Sequence, residues 1–369
     1  MTRAESLVAL NMAADIGSGR LKKLLQFFDT PENILKASRE QLVRVSGIAE
    51  KTASRISSFR RELLQEEISF AAKHDIRILT LEDKEYPENL KNIFDPPIVL
   101  YVKGTLAKED VLSIAIVGSR RASLYGLSSA ERFGRELSEL GFAIVSGMAR
   151  GIDTCAHRGA IKAGGRTIAV MGSGFKHIYP QENIGLSEKI SENGAVISEF
   201  PLDAAPLKQN FPRRNRVISG LSAGVLVVEA ARNSGALITV DFALEQGREV
   251  FALPGKVDSA TSCGTNELIK QGAKLVSSAD DIAEEFSVPA KIRIAVKEDP
   301  PAGRQVFLPT DDEARVLSFI SRESIAVDEL VEKTHLDIPR ISDILLKLQC
   351  RKVITQLPGK HFVRSEHEK

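Results

Sequence analysis

The sequence predicts an α/β protein whose core is an extended Rossmann-like, doubly wound parallel sheet, flanked by an N-terminal all-α domain and a C-terminal winged helix. Three observations predict it. Across residues 111–286, short and nearly all-apolar runs alternate with segments of helical periodicity. Before residue 76 the apolar residues recur only at helical spacing, and after residue 310 three helical segments precede two short strands around Pro358-Gly359. With 369 residues, 43% of them hydrophobic, the chain is long and apolar enough to bury more than one core.

Residues 1–75 read as a helical domain of the SAM or helix-hairpin-helix kind, with helices expected at 6–12, 20–28, 30–37, 39–45 and 50–73. Val45-Ser46-Gly47-Ile48-Ala49-Glu50-Lys51-Thr52-Ala53 joins two of them. Backbone N–H groups in such a hairpin hold a DNA phosphate, or the hairpin serves domain packing; Ala49 stands where a second glycine is usual. Residues 76–110, punctuated by Pro87, Pro96 and Pro97, read as a connector packed on the core. In 111–286 the runs VLSIAIVG, FAIVSG, RTIAVMG, GAVISE, GVLVVEA and EVFALPG each lead into a helical segment. Strands apolar on both faces call for a parallel sheet covered on both sides, the Rossmann-like domain of residues 111–286. Residues 287–310, with four prolines, read as a linker, and 311–369 as the winged helix.

Lys plus Arg total 50 and Asp plus Glu 49, so a polyanion site has to be local. Cys155, Cys263 and Cys350 are far apart with no CxxC pair, which disfavours a zinc site or a disulfide framework and fits a reducing cytoplasm. Acidic and polar residues interrupt the apolar pattern of the first 23 positions, and no apolar run approaches membrane-spanning length, so neither a signal peptide nor a membrane span is expected.

Ligands of a doubly wound sheet sit beyond the carboxyl ends of its strands. The residues there are Gly118-Ser119-Arg120-Arg121, Ser146 to Gly151, Gly172-Ser173-Gly174-Phe175-Lys176, Glu199-Phe200-Pro201 and Asn233-Ser234-Gly235. Glycines admit phosphate close to the backbone, and Arg and Lys neutralise it, although glycine at a strand end is also ordinary turn chemistry. The window from Lys208 to Val228 carries Lys208, Arg213, Arg214 and Arg216 and no acid. Three arginines where a helix begins oppose the helix dipole unless an anion is near, which points to phosphate. Phe211 beside them either stacks a base, as in single-strand binders, or belongs to the core. Gly220-Leu221-Ser222-Ala223-Gly224 fits G-x-S-x-G but lies between a helix and a strand, the reverse of a nucleophile elbow. There is no phosphate-binding G-x-x-x-x-G-K-[ST], and Gly172-Ser173-Gly174 lacks a third glycine. Asp153 and His157, four apart on one helix, read as a hydrogen-bonded structural pair.

Together, GSRRASLYG, SGMARGIDTCAH, YPQEN, ISEFP, FPRRNRVISGLS, SGALITVDFALEQGREVFALPG and GTNELIKQGA resemble the DNA processing protein A family, DprA or Smf, almost continuously from Gly118 to Ala273. Cys155 departs where a second alanine is usual. The resemblance implies a cytoplasmic bacterial protein that binds incoming single-stranded DNA in natural transformation, protects it, and helps load the RecA recombinase in the presence of single-strand-binding protein. It also implies a homodimer through the sheet domain, with no cofactor, no metal, no membrane partner and no chemical step. Matched by motif and by the charge pattern, the DNA-binding residues are expected to be Gly118, Ser119, Arg120, Arg150, Lys176, Phe211, Arg213, Arg214, Asn215 and Arg216. The core is also similar to Rossmann-like nucleotide phosphoribohydrolases. There Asn233 to Thr239 replaces their PGGxGTxxE loop, Phe242 stands where the catalytic Glu follows, and Glu229 and Asp241 are the nearby carboxylates.

Overall fold

The computed structural model describes residues 1–14, 16–286, 310–321, 324–351, 353–357 and 361–364. It divides into two compact units, Met1–Val296 and Lys297–Lys369. The first opens with six helices: α1 (Arg3–Ala14), α2 (Ser18–Phe28), α3 (Pro31–Lys36), α4 (Arg39–Val43), α5 (Glu50–Ser57) and α6 (Arg61–Lys73). Polar caps start two of the short ones: Thr30 accepts from the Asn33 N–H with Pro31 in the first turn, and Ser38 with Gln41 forms a capping box. The single helix expected over 50–73 is two. Arg60 is extended (φ −95°, ψ 131°), and Phe59 in the break packs on the apolar core. In the hairpin between α4 and α5, Val45, Ile48 and Ala53 are buried, and Gly47 takes φ +92°, a value that favours glycine.

Residues 76–110 do more than connect. They supply β1 (Ile76–Thr80), α7 (Glu88–Lys91) and β2 (Val99–Gly104), and both strands join the main sheet. The beat then continues as β3 (Ser113–Val117), α8 (Leu124–Glu139), β4 (Ala143–Gly147), α9 (Ile152–Lys162), β5 (Thr167–Val170), α10 (Ile184–Glu192), β6 (Gly194–Ser198) and α11 (Asn210–Leu221). It ends with β7 (Gly224–Val227), α12 (Gly235–Glu245), β8 (Glu249–Ala252), α13 (Cys263–Lys270), β9 (Lys274–Leu275) and α14 (Ala279–Ala283). The nine strands run in the order β1-β2-β6-β5-β4-β3-β7-β8-β9. The seven from β6 to β9 are mutually parallel, and β2 joins β6 antiparallel, Tyr101 opposite Ser198.

Alternation sets the two faces of the sheet. Ile114, Ile116, Ile144 and Leu226 face α8 and α9 in one core, and Ala115, Val117, Val145 and Val225 face the other side with Val217, Ile218 and Val240 of α11 and α12. A third cluster merges the N-terminal helices with Tyr101, Met148, Met171 and Leu202, so the helical region shares a core with the sheet. Polar contacts reinforce it: Asn11 donates to the Glu199 carbonyl at 3.2 Å, and Leu202 N–H donates to Glu67 at 2.8 Å.

The second unit holds α15 (Asp311–Phe319), β10 (Ile325–Ala326), α16 (Val327–Thr334), α17 (Ile338–Cys350), β11 (Ile354–Leu357) and β12 (His361–Arg364), with strand order β10-β12-β11. Thr310 and Glu313 form the capping box of α15, and Val316, Leu330, Ile341 and Leu348 make the core. The expected linker up to Pro309 and the Pro358-Gly359 turn lie outside the described residues.

Candidate nucleic-acid interface

The sheet reverses its strand order between β3 and β7, and beside such a reversal a crevice opens past the carboxyl ends of the strands. A cavity of about 220 Å³ lies there. Arg120 and Arg121 after β3, Ala149 and Arg150 after β4, Gly172 and Tyr179 after β5, and Phe211 and Arg214 of α11 line it.

Arg214 is 4% exposed. Its Nη1 donates to the Val170 carbonyl at 2.6 Å, and its Nε has no hydrogen-bond partner in the protein. Gly147 lets it in: a Cβ there would lie 2.0 Å from Arg214 Nη1 and 2.4 Å from Asp153 Oδ2, so both side chains close over a backbone that tolerates only glycine. Burial pushes the Arg214 guanidinium down to about 10, with Asp153 opposing and Arg120 adding to the shift. Burial also raises the Asp153 carboxyl against the pull of Arg214 and the Ala149 N–H. Desolvation thus outweighs the attraction within this pair, and Arg214 remains a cation at neutral pH that an arriving anion would solvate.

Asp153 and His157 are not hydrogen-bonded to each other. Asp153, in the first turn of α9, turns to the loop after β4 and accepts from Ala149 N–H at 3.3 Å. His157 is fully buried between the Gly147 carbonyl (2.8 Å from Nε2) and the Thr167 hydroxyl (2.7 Å from Nδ1). Burial lowers its pKa to about 4, so the imidazole is neutral, and its Nε2–H donates to the Gly147 carbonyl, which can only accept. The histidine therefore braces the backbone on which Arg214 rests.

Phe211 is partly buried in the cavity wall, an arrangement between the two expected for it. Its ring fits because Gly172 has no side chain, since a Cβ there would meet the ring at 2.9 Å. The Arg120 guanidinium lies 4.9 Å from the ring centroid, a cation–π contact. Tyr179 stands 5.9 Å away, tilted. Arg150 lies at the rim, bidentate to Glu182 at 2.8 and 2.6 Å.

The other residues singled out in the sequence do not line this cavity. Arg213 donates to Glu199 at 2.9 Å and Arg216 at 2.5 Å; Arg216 also donates to the Asp95 carbonyl. The anion that the helix-dipole argument requires at the start of α11 is thus Glu199, 3% exposed at the end of β6, just outside the acid-free window. Asn215 ties α11 to the Gly235 carbonyl at 3.2 Å. Gly118 passes against Ile152, and Ser119 donates its N–H to the Glu229 carbonyl and accepts at Oγ from Arg121 N–H, so both shape the loop that presents Arg120. Lys176 lines a neighbouring cavity, its Nζ 4.8 Å from the Phe70 ring centroid. Arg121, expected at this strand end but not among the DNA-binding residues, lines the cavity, and so does Tyr179 of YPQEN, which no expectation singled out. Among the nearby carboxylates, Glu229 accepts from Ser123 N–H, Ser123 Oγ and Thr261 Oγ1 and anchors the start of α8, while Asp241 is exposed on α12. Among the described residues no group of three His, Cys, Asp or Glu is placed to hold a metal, and no helix is long and apolar enough to cross a membrane.

The family profile described as DNA recombination-mediator protein A matches residues 77–287, that of the DprA winged helix domain residues 298–360, and that of a SAM-like helix-hairpin-helix tandem residues 9–62. Protein Smf of Escherichia coli is 38% identical over 325 residues, covering 86% of this chain and 85% of that protein. The X-ray structure of DNA processing protein A from Streptococcus pneumoniae is similar at a TM-score of 0.66 and 36% identity, covering 77% of this chain and 98% of that one. A structure of DNA processing protein A from Helicobacter pylori, described for its single-stranded DNA binding mode, is similar at a TM-score of 0.51 and 31% identity, over 57% of this chain and 96% of the other.

Proposed function

The chain belongs to the DNA recombination-mediator protein A family, DprA or Smf, and from that membership and the cavity we propose that it binds single-stranded DNA, holding a backbone phosphate over Arg214. The observation that carries this reading is the buried Arg214, whose Nε is unpartnered, in a cavity walled by Arg120 and Arg121. A phosphodiester in that cavity supplies the counter-charge that the desolvated Asp153 gives only in part, and the cation supplies charge without base preference. Arg120 on Phe211 forms the second contact and Arg150 the rim; Arg213, Arg216 and Asn215 hold α11 in place. The relative from H. pylori, whose structure concerns single-stranded DNA, supports the same ligand for this chain.

Family membership supports the rest of the reading: a cytoplasmic homodimer that protects incoming strands in natural transformation and helps load RecA in the presence of single-strand-binding protein. The mechanism is binding and handover, with no turnover. The test is a comparison of single- and double-stranded oligonucleotides across a salt series, together with assays for nucleotide hydrolysis and base release. Preferential, salt-sensitive single-strand binding without product is expected. Equal duplex binding, or release of base from nucleoside monophosphates that Glu229→Ala abolishes, overturns it. RecA loading is checked by whether the protein accelerates RecA activity on strands already coated by single-strand-binding protein.

A further inference from the structure

Two carboxylates hold arginines around the crevice, in different surroundings. Glu199 is buried and fixes Arg213 and Arg216, which do not line the cavity. Glu182 holds Arg150, which does line it, and both side chains of this pair are half-exposed. Separating a buried pair leaves a charge stranded away from water, whereas a pair in water costs little to break.

The exposed pair is nonetheless held in a fixed place. Asn183, next to Glu182, is buried and donates from Nδ2 to the Met148 carbonyl and to the Thr154 hydroxyl, each at 2.9 Å. Thr154 in turn donates to the Ala149 carbonyl at 2.8 Å. Asn183 therefore fastens the segment carrying Glu182 to the loop carrying Arg150, and both carboxylate oxygens meet the guanidinium, at 2.8 and 2.6 Å. A phosphate pairs with arginine through two oxygens in the same way, so Glu182 occupies the positions that the oxygens of a rim phosphate would take.

We propose that Glu182 is a displaceable counter-ion that competes with the strand for Arg150: it occupies the rim arginine in the free protein and yields it to a backbone phosphate. This rests on the single-strand reading above. With the carboxylate present the rim is neutral and a phosphate gains little there; with a neutral amide in its place Arg150 is a full cation. Glu182 thus holds affinity below what the rim arginine alone would give, which suits a protein that binds a strand in order to pass it on.

The test compares the full chain with Glu182→Gln, Arg150→Ala and the double variant in binding to an oligothymidylate across a salt series. Glu182→Gln should bind about two- to fivefold tighter than wild type at low salt, the range of an exposed ion pair, and steepen the salt slope by up to about 0.7, one phosphate contact. Arg150→Ala should bind more weakly than wild type, because it leaves Glu182 facing the strand, and adding it to Glu182→Gln should abolish the gain. Misfolding weakens binding, so a gain reads the charge and not the fold. Wild-type or weaker affinity in Glu182→Gln, or a gain that persists in the double variant, overturns the counter-ion role while leaving single-strand binding intact. A wild-type protein that does not bind the strand overturns the underlying reading instead.

Discussion

Arg214 carries a charge that its surroundings disfavour, and this sets how its contribution varies with pH. A bound phosphate raises its pKa above the value of about 10 in the free protein, so the bound state holds more protons and affinity falls as pH climbs through that value. The affinity gap between wild type and Arg214→Ala should therefore close between about pH 9 and 11, checked by fluorescence anisotropy with a labelled oligonucleotide. His157 works in the opposite range. Its folded pKa of about 4 lies below the ordinary 6.5, so its contribution to stability is complete above pH 6.5 and declines as pH falls toward 4. By linkage this amounts to about 3 kcal/mol, and His157→Gln should flatten the acid limb of a denaturation series. Phe211→Ala should resemble Arg120→Ala, lowering both affinity and salt slope, because the ring holds the guanidinium in place. The arginine cluster was legible in the sequence, but its division was not: the residues that decide it, Gly147 and Glu199, come from other strands, and no local window contains them.

At the scale of elements, α11 matters most because it presents Phe211 and Arg214 on one side and is fixed through Arg213 and Arg216 to Glu199 on the other. Glu199→Ala leaves two guanidinium groups without this buried counter-charge and should cost about 3 to 5 kcal/mol in chemical denaturation, with single-strand affinity falling as α11 loosens. The alternation of apolar strands and helices was legible from residue 111 onward because parallel strands are apolar on both faces. β1 and β2 were not: they are short, antiparallel, and flank a segment with Pro87, Pro96 and Pro97, which reads as loop. The break between α5 and α6 was also hidden, since Ser58, Phe59 and Arg60 contain no glycine or proline to mark it.

For the whole molecule, the shared core of the N-terminal helices and the sheet determines which parts work alone. A fragment of residues 111–286 lacks β2, whose Leu100, Tyr101 and Val102 are fully buried, and should not fold to a binding-competent state. A chain ending at Phe286 keeps that core and should retain wild-type single-strand affinity by anisotropy. The winged helix adds little charge for a duplex, because Arg340, Lys347 and Arg351 pair with Asp312, Asp343 and Glu313. On the proposed function, Arg214 meets backbone phosphate while Arg213 and Arg216 hold the helix. The most direct test of this is the salt dependence of binding to an oligothymidylate by wild type, Arg214→Ala and Arg213→Ala. A single-strand contact contributes a slope of about −0.7 per phosphate. Arg214→Ala should flatten the slope by about that amount while Arg213→Ala leaves it unchanged; an unaltered slope in folded Arg214→Ala, or the loss appearing in Arg213→Ala instead, would rule out Arg214 as the phosphate contact.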